Sequence, residues 1–418
     1  MSMTTATTTL TAPAPRLVTR PFALACGAAL ANLTAFYLPL SVVPARAVAA
    51  GAPDGAAGLV TAALMLGGVL AECVAPRLMA RFGDRAVLAT GLLLLGGAAL
   101  LLVPAVDVVS AGLVCVLRGL GFGFAVVVTG ALVTRHVPAA RRGEGLAVAG
   151  VAACVPAVAA LPAGVWLVDI CGPDVVFVVA AVVALVGALA PLALGRSAGS
   201  ARSSAKSATA AAVAEPYAAA AAGAASVVAV PESAAAAAPG LVALARIPVQ
   251  RRSAVLFAAT TVAAGVVVAY LPLAATGPAV ALGLFVQALA ATAARYGAGR
   301  WGDRHGHARL VGPGLAACGL GMVLLLGVDQ PAVLLAAMAV FGTGFGVAQS
   351  ATYAVMVERA PAAGDGAVSA LWNLAYDLGY GVGPLAFAVV VGASGYPAAF
   401  AFTGLVVLAG LRAARRTG

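Results

Sequence analysis

The chain has 418 residues, 63% of them hydrophobic and only 9% charged, with a formal net charge of +10. An ordinary soluble domain carries roughly 25% charged residues, so these side chains cannot furnish an aqueous surface for a core of this size, and lipid must be the solvent for much of the chain. The positive charge does not indicate a nucleic-acid partner, because it falls in short clusters between long apolar runs.

Residues 1–21 read as a polar N-terminal tail carrying Arg16 and Arg20. The apolar run after it exceeds the signal-peptide core of about 7–15 residues, so it is expected to remain as a first helix despite the small residues at Ala45 to Ala50. A spanning helix needs about 20 mainly apolar residues. Such runs fall near residues 22–44, 56–76, 86–104, 108–133, 145–167, 174–195, 253–275, 278–298, 309–327, 332–356, 366–392 and 396–413. Their glycines and prolines would disrupt soluble helices but are common in membrane helices packed against neighbours. The alanine-rich stretch 223–239 is interrupted by Pro231 and Glu232 and stays in a linker. The expected organisation is an all-α membrane protein of twelve transmembrane helices. A six-helix half at 22–196 and a second at 252–413 are joined by a cytoplasmic linker at 197–251, with a tail at 414–418.

With the N-terminus in the cytoplasm, every Lys and Arg falls on the cytoplasmic side except Arg46 in an outside loop and Arg118 within a helix. The outside turns carry Asp54, Asp107, Asp169, Asp174 and Asp329 instead. The positive-inside rule then places both termini in the cytoplasm and the chain, multi-pass, in the inner membrane.

The two halves repeat each other. Gly121-Phe122-Gly123 recurs as Gly344-Phe345-Gly346, Pro138 as Pro361 and Gly83 as Gly306, all offset by 223 residues, while Tyr37-Leu38-Pro39-Leu40 recurs as Tyr270-Leu271-Pro272-Leu273, offset by 233. Duplicated halves are the usual architecture of secondary transporters. Six scattered cysteines (Cys26, Cys73, Cys115, Cys154, Cys171, Cys318) and three loop histidines (His136, His305, His307) indicate neither a disulfide framework nor a metal site. No GxxxxGK[ST], HExxH or GxSxG occurs, so no ATP site, no cofactor and no enzyme activity are expected.

The segment Gly299-Arg300-Trp301-Gly302-Asp303-Arg304-His305-Gly306-His307-Ala308-Arg309 resembles the G-x-x-x-D-R-x-G-x-x-R motif that the major facilitator superfamily carries between the second and third helices of each half. In that motif glycines permit a tight turn, and the carboxylate and guanidinium groups can latch neighbouring helix ends in one conformational state. The resemblance implies a gating role for Gly299, Asp303, Arg304, Gly306 and Arg309. The first half departs from the motif: it keeps Arg81, Gly83 and Arg85 but has Ala80 in place of the acid and Pro76 in place of the first glycine, with Asp84 the nearest substitute.

Arg118 opens Arg118-Gly119-Leu120-Gly121-Phe122-Gly123, which is similar to the family's fourth-helix motif, whose arginine is linked to proton coupling. The other reading is a structural ion pair or a side chain snorkelling to the interface. The eleventh run, Asn373-Leu374-Ala375-Tyr376-Asp377-Leu378-Gly379-Tyr380-Gly381-Val382-Gly383-Pro384, is similar to segments of a bacterial branch of siderophore and sugar exporters. Asn373, Asp377 and Tyr380 can share one helical face, and Asp377 is the leading protonatable group. Glu72 corresponds in position to Arg295 and is a second proton candidate or a gate residue. Tyr37, Tyr270, Asn373, Tyr376 and Tyr380 are candidates for a central cavity. The fifth run reads Ala160-Leu161-Pro162-Ala163-Gly164-Val165 where exporters often have Gly-Pro-x-x-Gly-Gly, so the antiporter signature is degenerate.

The resemblance implies proton-coupled alternating access, with export of a small amphipathic or neutral molecule (drug, secondary metabolite or siderophore-like). The alternatives are a proton-coupled uptake symporter and a non-transporting membrane receptor or assembly subunit. A monomer is expected, with protons, lipid and a small-molecule substrate as its partners.

Overall fold

A computed structural model describes residues 18–105, 107–137, 142–193, 241–361 and 365–414. Residues 1–17 of the N-terminal tail, Pro138, Arg141, most of the linker and the last four residues lie outside these. Among the described residues, eleven helices are long and apolar enough to cross a membrane. They are α1 (Arg20–Ala49), α2 (Gly55–Phe82), α3 (Asp84–Leu101), α4 (Val108–His136), α5 (Arg142–Cys171), α6 (Pro173–Ala193), α7 (Pro248–Ala274), α8 (Pro278–His305), α9 (Ala308–Gly327), α10 (Pro331–Glu358) and a final helix, Asp365–Ala409. That last helix has 45 residues, about twice the roughly 20 that a bilayer requires. It folds back at Gly395, where φ is 74°, a value that only glycine adopts without strain. The break divides it into α11 (365–394) and α12 (396–409), giving twelve spans.

The sequence explains which faces turn inward. On α2 the large Leu59, Leu66, Leu70 and Val74 are exposed, whereas Gly67, Gly68, Ala71 and Ala75 are buried. Large apolar side chains face lipid and small ones face protein, because helix association in a bilayer depends on close backbone approach. A Cβ on Gly119 of α4 would stand 2.0 Å from the Leu64 carbonyl oxygen, and one on Gly123 would stand 2.7 Å from that of Gly68. The same seam recurs 223 residues on, where a Cβ on Gly342 of α10 would stand 2.3 Å from the Gln287 oxygen and one on Gly346 2.1 Å from that of Ala291. Gly96 packs against Ala181 and Leu185 of α6, and Gly319 against Gly404 and Leu408 of α12, at the same offset. The internal repeat is therefore written into the helix-to-helix contacts themselves. Between the halves α2 packs on α11 and α5 on α8. These are the pairings that exchange under the internal two-fold.

The structure corrects several sequence expectations. α1 does not run unbroken: it turns at Leu38–Ser41 and continues as Val42–Ala49. α2 and α8 extend past the apolar runs, so Arg81, Asp303 and Arg304 sit on helix ends, and only Gly83 (φ 82°) and the Gly306–His307 turn (Gly306 φ 92°) leave the helices. Positive φ at these two glycines ends each helix in one residue. Leu241–Arg246, within the expected linker, is a short helix whose Leu244 packs with Phe257 and Trp372, and α7 begins at Pro248. Asp107 caps α4, accepting hydrogen bonds from the Val109 and Ser110 amides at 2.9 Å. The Ser110 amide, then its hydroxyl, holds the Asp107 carboxyl below the usual carboxylate range.

Candidate functional site

A cavity of about 1350 Å³, part of it continuous with solvent, lies between the halves. Its wall is built from one face each of α1, α4, α5, α7, α8, α10 and α11. Cys26, Ala29, Leu33 and Tyr37 supply the α1 face, and Gln287, Ala291, Thr292 and Arg295 most of the α8 face, the i, i+3/i+4, i+7 spacing of one side of a helix. The wall reaches Thr134 and Arg295, close to the arginine-bearing helix ends. The other end of the bundle is closed by buried Leu38, Leu40, Val42, Tyr270, Leu271 and Phe387, which belong to one continuous core. Most of the wall is alanine, valine, leucine and phenylalanine, and Arg295 is the one charged side chain in it among the described residues.

Of the residues singled out from the sequence, Tyr37, Tyr376 and Tyr380 line this cavity. Tyr376 and Tyr380 stack with ring centroids 5.5 Å apart, and Tyr37 lies in hydrogen-bond reach of Tyr376. Tyr270 does not join them. It is fully buried and donates its hydroxyl to the Pro384 carbonyl at 3.1 Å, tying α7 to α11. Asn373 is also buried and lies off the cavity wall.

Asp377 and Glu72 meet. α2 and α11 approach closely because Gly58 leaves room for the Pro384 backbone and Gly381 for the Met65 side chain. Further along this contact the Glu72 and Asp377 carboxyls lie in hydrogen-bond reach of each other across the two halves. An ionised carboxylate only accepts, so a hydrogen bond between two carboxyls requires a proton on one of them. Neither residue is on the cavity wall, though Tyr376, the neighbour of Asp377, is. Asn373, Asp377 and Tyr380 keep the i, i+4, i+7 spacing of one side of α11, of which Tyr380 reaches the cavity wall and Asp377 approaches Glu72 of α2.

Arg118 is fully buried and lies outside the cavity wall. Its Nη2 donates to the carbonyls of Ala35 at 3.3 Å and Phe36 at 3.5 Å. Both carbonyls are free because of Pro39, which has no N–H to offer Ala35, while the Leu40 N–H turns to Tyr37 at 3.2 Å. The guanidinium thus fills a gap in the α1 hydrogen-bond ladder. Its Nε and Nη1 have no protein partner among the described residues.

At the arginine-bearing end, the motif residues form contacts within each half. Asp84 pairs with Arg135 of α4 at 2.5 Å, and Arg85 donates to the Pro191 and Leu192 carbonyls at 2.7 and 3.1 Å. In the second half His307 Nδ1 lies 2.5 Å from Glu358 of α10, and its Nε2 lies 3.6 Å from Asp303. Residues 84 and 307, and 135 and 358, are each 223 apart. One repeat position thus holds an acid–base contact in both halves with the acid and the base exchanged. Gly302 makes room for the imidazole, since a Cβ there would stand 2.2 Å from the His307 ring. Gly299 is buried, Arg81 lies over the Phe82 ring, and no described contact joins Arg304 or Arg309 to the other half. Sequence reasoning missed Arg135, His307 and Glu358 as a set, although the 223-residue offset could have aligned them. It also gave no role to Gln287, Thr292 or Gln349, because nothing in a single helix marks which face meets a cavity.

No curated protein matches the chain in sequence. The sequence profile described as Major Facilitator Superfamily matches residues 24–277 and 253–416. Among solved structures, the human organic anion transporter MFSD10 (TETRAN) is similar at 16% identity with a TM-score of 0.62, covering 94% of this chain and 99% of that one, a likeness in fold. Twelve apolar spans, two repeated halves enclosing a cavity and a profile match across nearly the whole length make this chain a multi-pass membrane transporter, and not an enzyme, that belongs to the Major Facilitator Superfamily.

Proposed function

We propose that this transporter is proton-coupled and exports a small organic molecule (drug, secondary metabolite or siderophore-like) from the cytoplasm by alternating access. The observation that carries the reading is the close approach of the Glu72 and Asp377 carboxyls. A proton shared between these two carboxyls would sit on the α2–α11 contact, where the two halves must shift against each other when access alternates. Losing or gaining that proton changes the contact itself, which is what coupling requires. Entry of each proton supplies roughly 2.3 kcal/mol per 100 mV, enough to concentrate a substrate about fifty-fold at that potential. The likeness of the Asn373–Pro384 segment to exporters supports the outward direction. The clustering of arginines at the end where the cavity opens supports a cytoplasmic mouth and cytoplasmic termini in the inner membrane.

The test uses energised everted membrane vesicles, a pH-sensitive dye and a panel of lipophilic dyes and acidic, neutral and basic metabolites. The reading predicts that a panel compound dissipates the pH gradient in wild type and that Asp377→Asn abolishes the response. Dissipation that persists in both Asp377→Asn and Glu72→Gln removes the carboxyl pair from coupling. Compound uptake by intact cells without any vesicle response reverses the proposed direction.

A further inference from the structure

We propose that the exposed end of α8 binds the headgroup of an anionic phospholipid, with Arg300 receiving its phosphate and Tyr296 and Trp301 bordering it. None of these three residues lines the cavity, so the site stands apart from substrate, proton and direction of transport.

Three observations combine. First, α8 carries a continuous exposed stripe. Leu282, Phe285, Leu289 and Tyr296 are 39–50% exposed, and the exposed Arg300 and Arg304 follow them, all at the i+3, i+4 or i+7 spacing of one helix side. From Leu289 to Arg300 the helix rises about 16 Å, close to one leaflet of a hydrocarbon core roughly 30 Å thick. The acyl chains and the headgroup of a single lipid therefore meet the same stripe. Second, Arg300 is already held in place. Its Nη1 donates to the Tyr296 hydroxyl at 3.0 Å, and its guanidinium carbon lies 5.7 Å from the centre of that ring. A guanidinium has five N–H donors in a planar fork that suits phosphate oxygens. A side chain ordered by its neighbour also loses less freedom on binding. Trp301, 42% exposed, stacks on His305 with ring centroids 4.5 Å apart. Tryptophan and tyrosine gather at headgroup depth, and the indole N–H is a further donor.

Third, the repeat offers an internal comparison. At the 223-residue offset the first half has Arg77 for Arg300 and Arg81 for Arg304, but Cys73 for Tyr296 and Leu78 for Trp301. Arg77 is exposed as Arg300 is. The first half thus has the charge without the aromatic frame, and the site belongs to the second half alone. Charge selects the headgroup: Arg300 and Arg304, one turn apart, attract a net negative lipid and disfavour the cationic group of a zwitterionic one. Asp303, between them in sequence and 3.6 Å from His307 Nε2, offsets part of this attraction. The net preference is then that of one arginine near a charged surface, about fivefold.

The test is native mass spectrometry of the purified full chain in detergent, titrated with phosphatidylglycerol or with phosphatidylcholine of the same acyl chains. The first phosphatidylglycerol should bind about fivefold tighter than the first phosphatidylcholine. Arg300→Gln should bring the two lipids to equal affinity, and Trp301→Leu, which installs the first-half residue, should weaken phosphatidylglycerol binding. Arg77→Gln should leave the preference intact. The melting temperature of each variant shows whether it is folded. Glycerophosphoglycerol, the headgroup without its chains, should not displace the lipid at millimolar concentration; displacement would assign the site to soluble phosphate esters instead. Equal binding of both lipids by wild type, a preference that survives Arg300→Gln, or equal losses in Arg77→Gln and Arg300→Gln would each overturn the assignment.

Discussion

Arg118 shows how a residue can carry a family resemblance and still be explained locally. A buried guanidinium in a membrane helix needs acceptors, and Pro39 creates them by leaving the Ala35 and Phe36 carbonyls unbonded. If this is its main role, Arg118→Gln should lower the thermal stability of the purified protein by about 2–3 kcal/mol, the scale of charge-assisted hydrogen bonds. Pro39→Ala returns an N–H to the Ala35 carbonyl, so Arg118→Gln should cost less in that background, a coupling that a double-mutant cycle in detergent would measure. Unchanged stability with lost transport would instead assign Arg118 to coupling. Arg46, the exception to the expected inside placement of positive charge, also has a local account. It bridges Asp174 at 2.5 Å, the Val103 carbonyl at 2.8 Å and the Phe177 ring, joining α1, the turn after α3 and α6 at the end opposite the other arginines.

Among the elements, the glycine seams divide the essential glycines from the incidental ones. Gly119→Ala and Gly342→Ala would drive a Cβ into backbone carbonyls on α2 and α8, whereas a methyl group added at Gly112 or Gly312 would meet nothing within 4 Å. The seam substitutions should lose about 1–3 kcal/mol or more through overpacking and reduce the monodisperse fraction in size-exclusion chromatography, and Gly112→Ala and Gly312→Ala should not. The exchanged acid–base contacts make a second prediction at this scale. With Arg135 half-exposed, Asp84–Arg135 should contribute only about 0.2–1 kcal/mol, and the charge reversal Asp84→Arg with Arg135→Asp should restore what either single change loses. Failure of the reversal would show that the geometry of α3 and α4, and not the attraction, fixes the pair.

Much of this level was legible in the sequence. Apolar runs and arginine placement marked the spans, because the bilayer imposes length and charge rules on any chain that crosses it. The helix break at Leu38–Ser41 and the helical ends of α2 and α8 were not legible, since Pro39, Pro76 and the polar termini of those helices obey tertiary packing and not hydropathy. Nor was the meeting of Glu72 with Asp377: each looked like a lone acid, and only the packing of α2 on α11 makes them partners.

For the whole molecule, the two halves are alike in their seams and unlike in their chemistry. The repeat conserves where helices touch, while the cavity charge at Arg295 and the carboxyl pair behind it break the symmetry. On the proposed reading, a proton store on the interface of the halves and a substrate site in the cavity would bear on the same α11, through Asp377 toward α2 and Tyr376 and Tyr380 on the cavity wall. The sign of their coupling would show in the pH dependence of binding. In an exchanger the proton leaves before the substrate binds, so affinity in nanodiscs should fall as the carboxyl pair is protonated. Affinity that rises on acidification would mean that proton and substrate travel together, which contradicts export by exchange.

The most direct measurement uses proteoliposomes holding the purified protein and a compound active in the vesicle assay. Two readings are compared: accumulation driven by an imposed pH gradient, and counterflow, which exchanges labelled for unlabelled substrate without a gradient. The account predicts that Glu72→Gln and Asp377→Asn lose driven accumulation and retain counterflow, because the cavity still alternates while the proton no longer drives it. Driven accumulation at wild-type rates in the Glu72→Gln, Asp377→Asn double variant would contradict it.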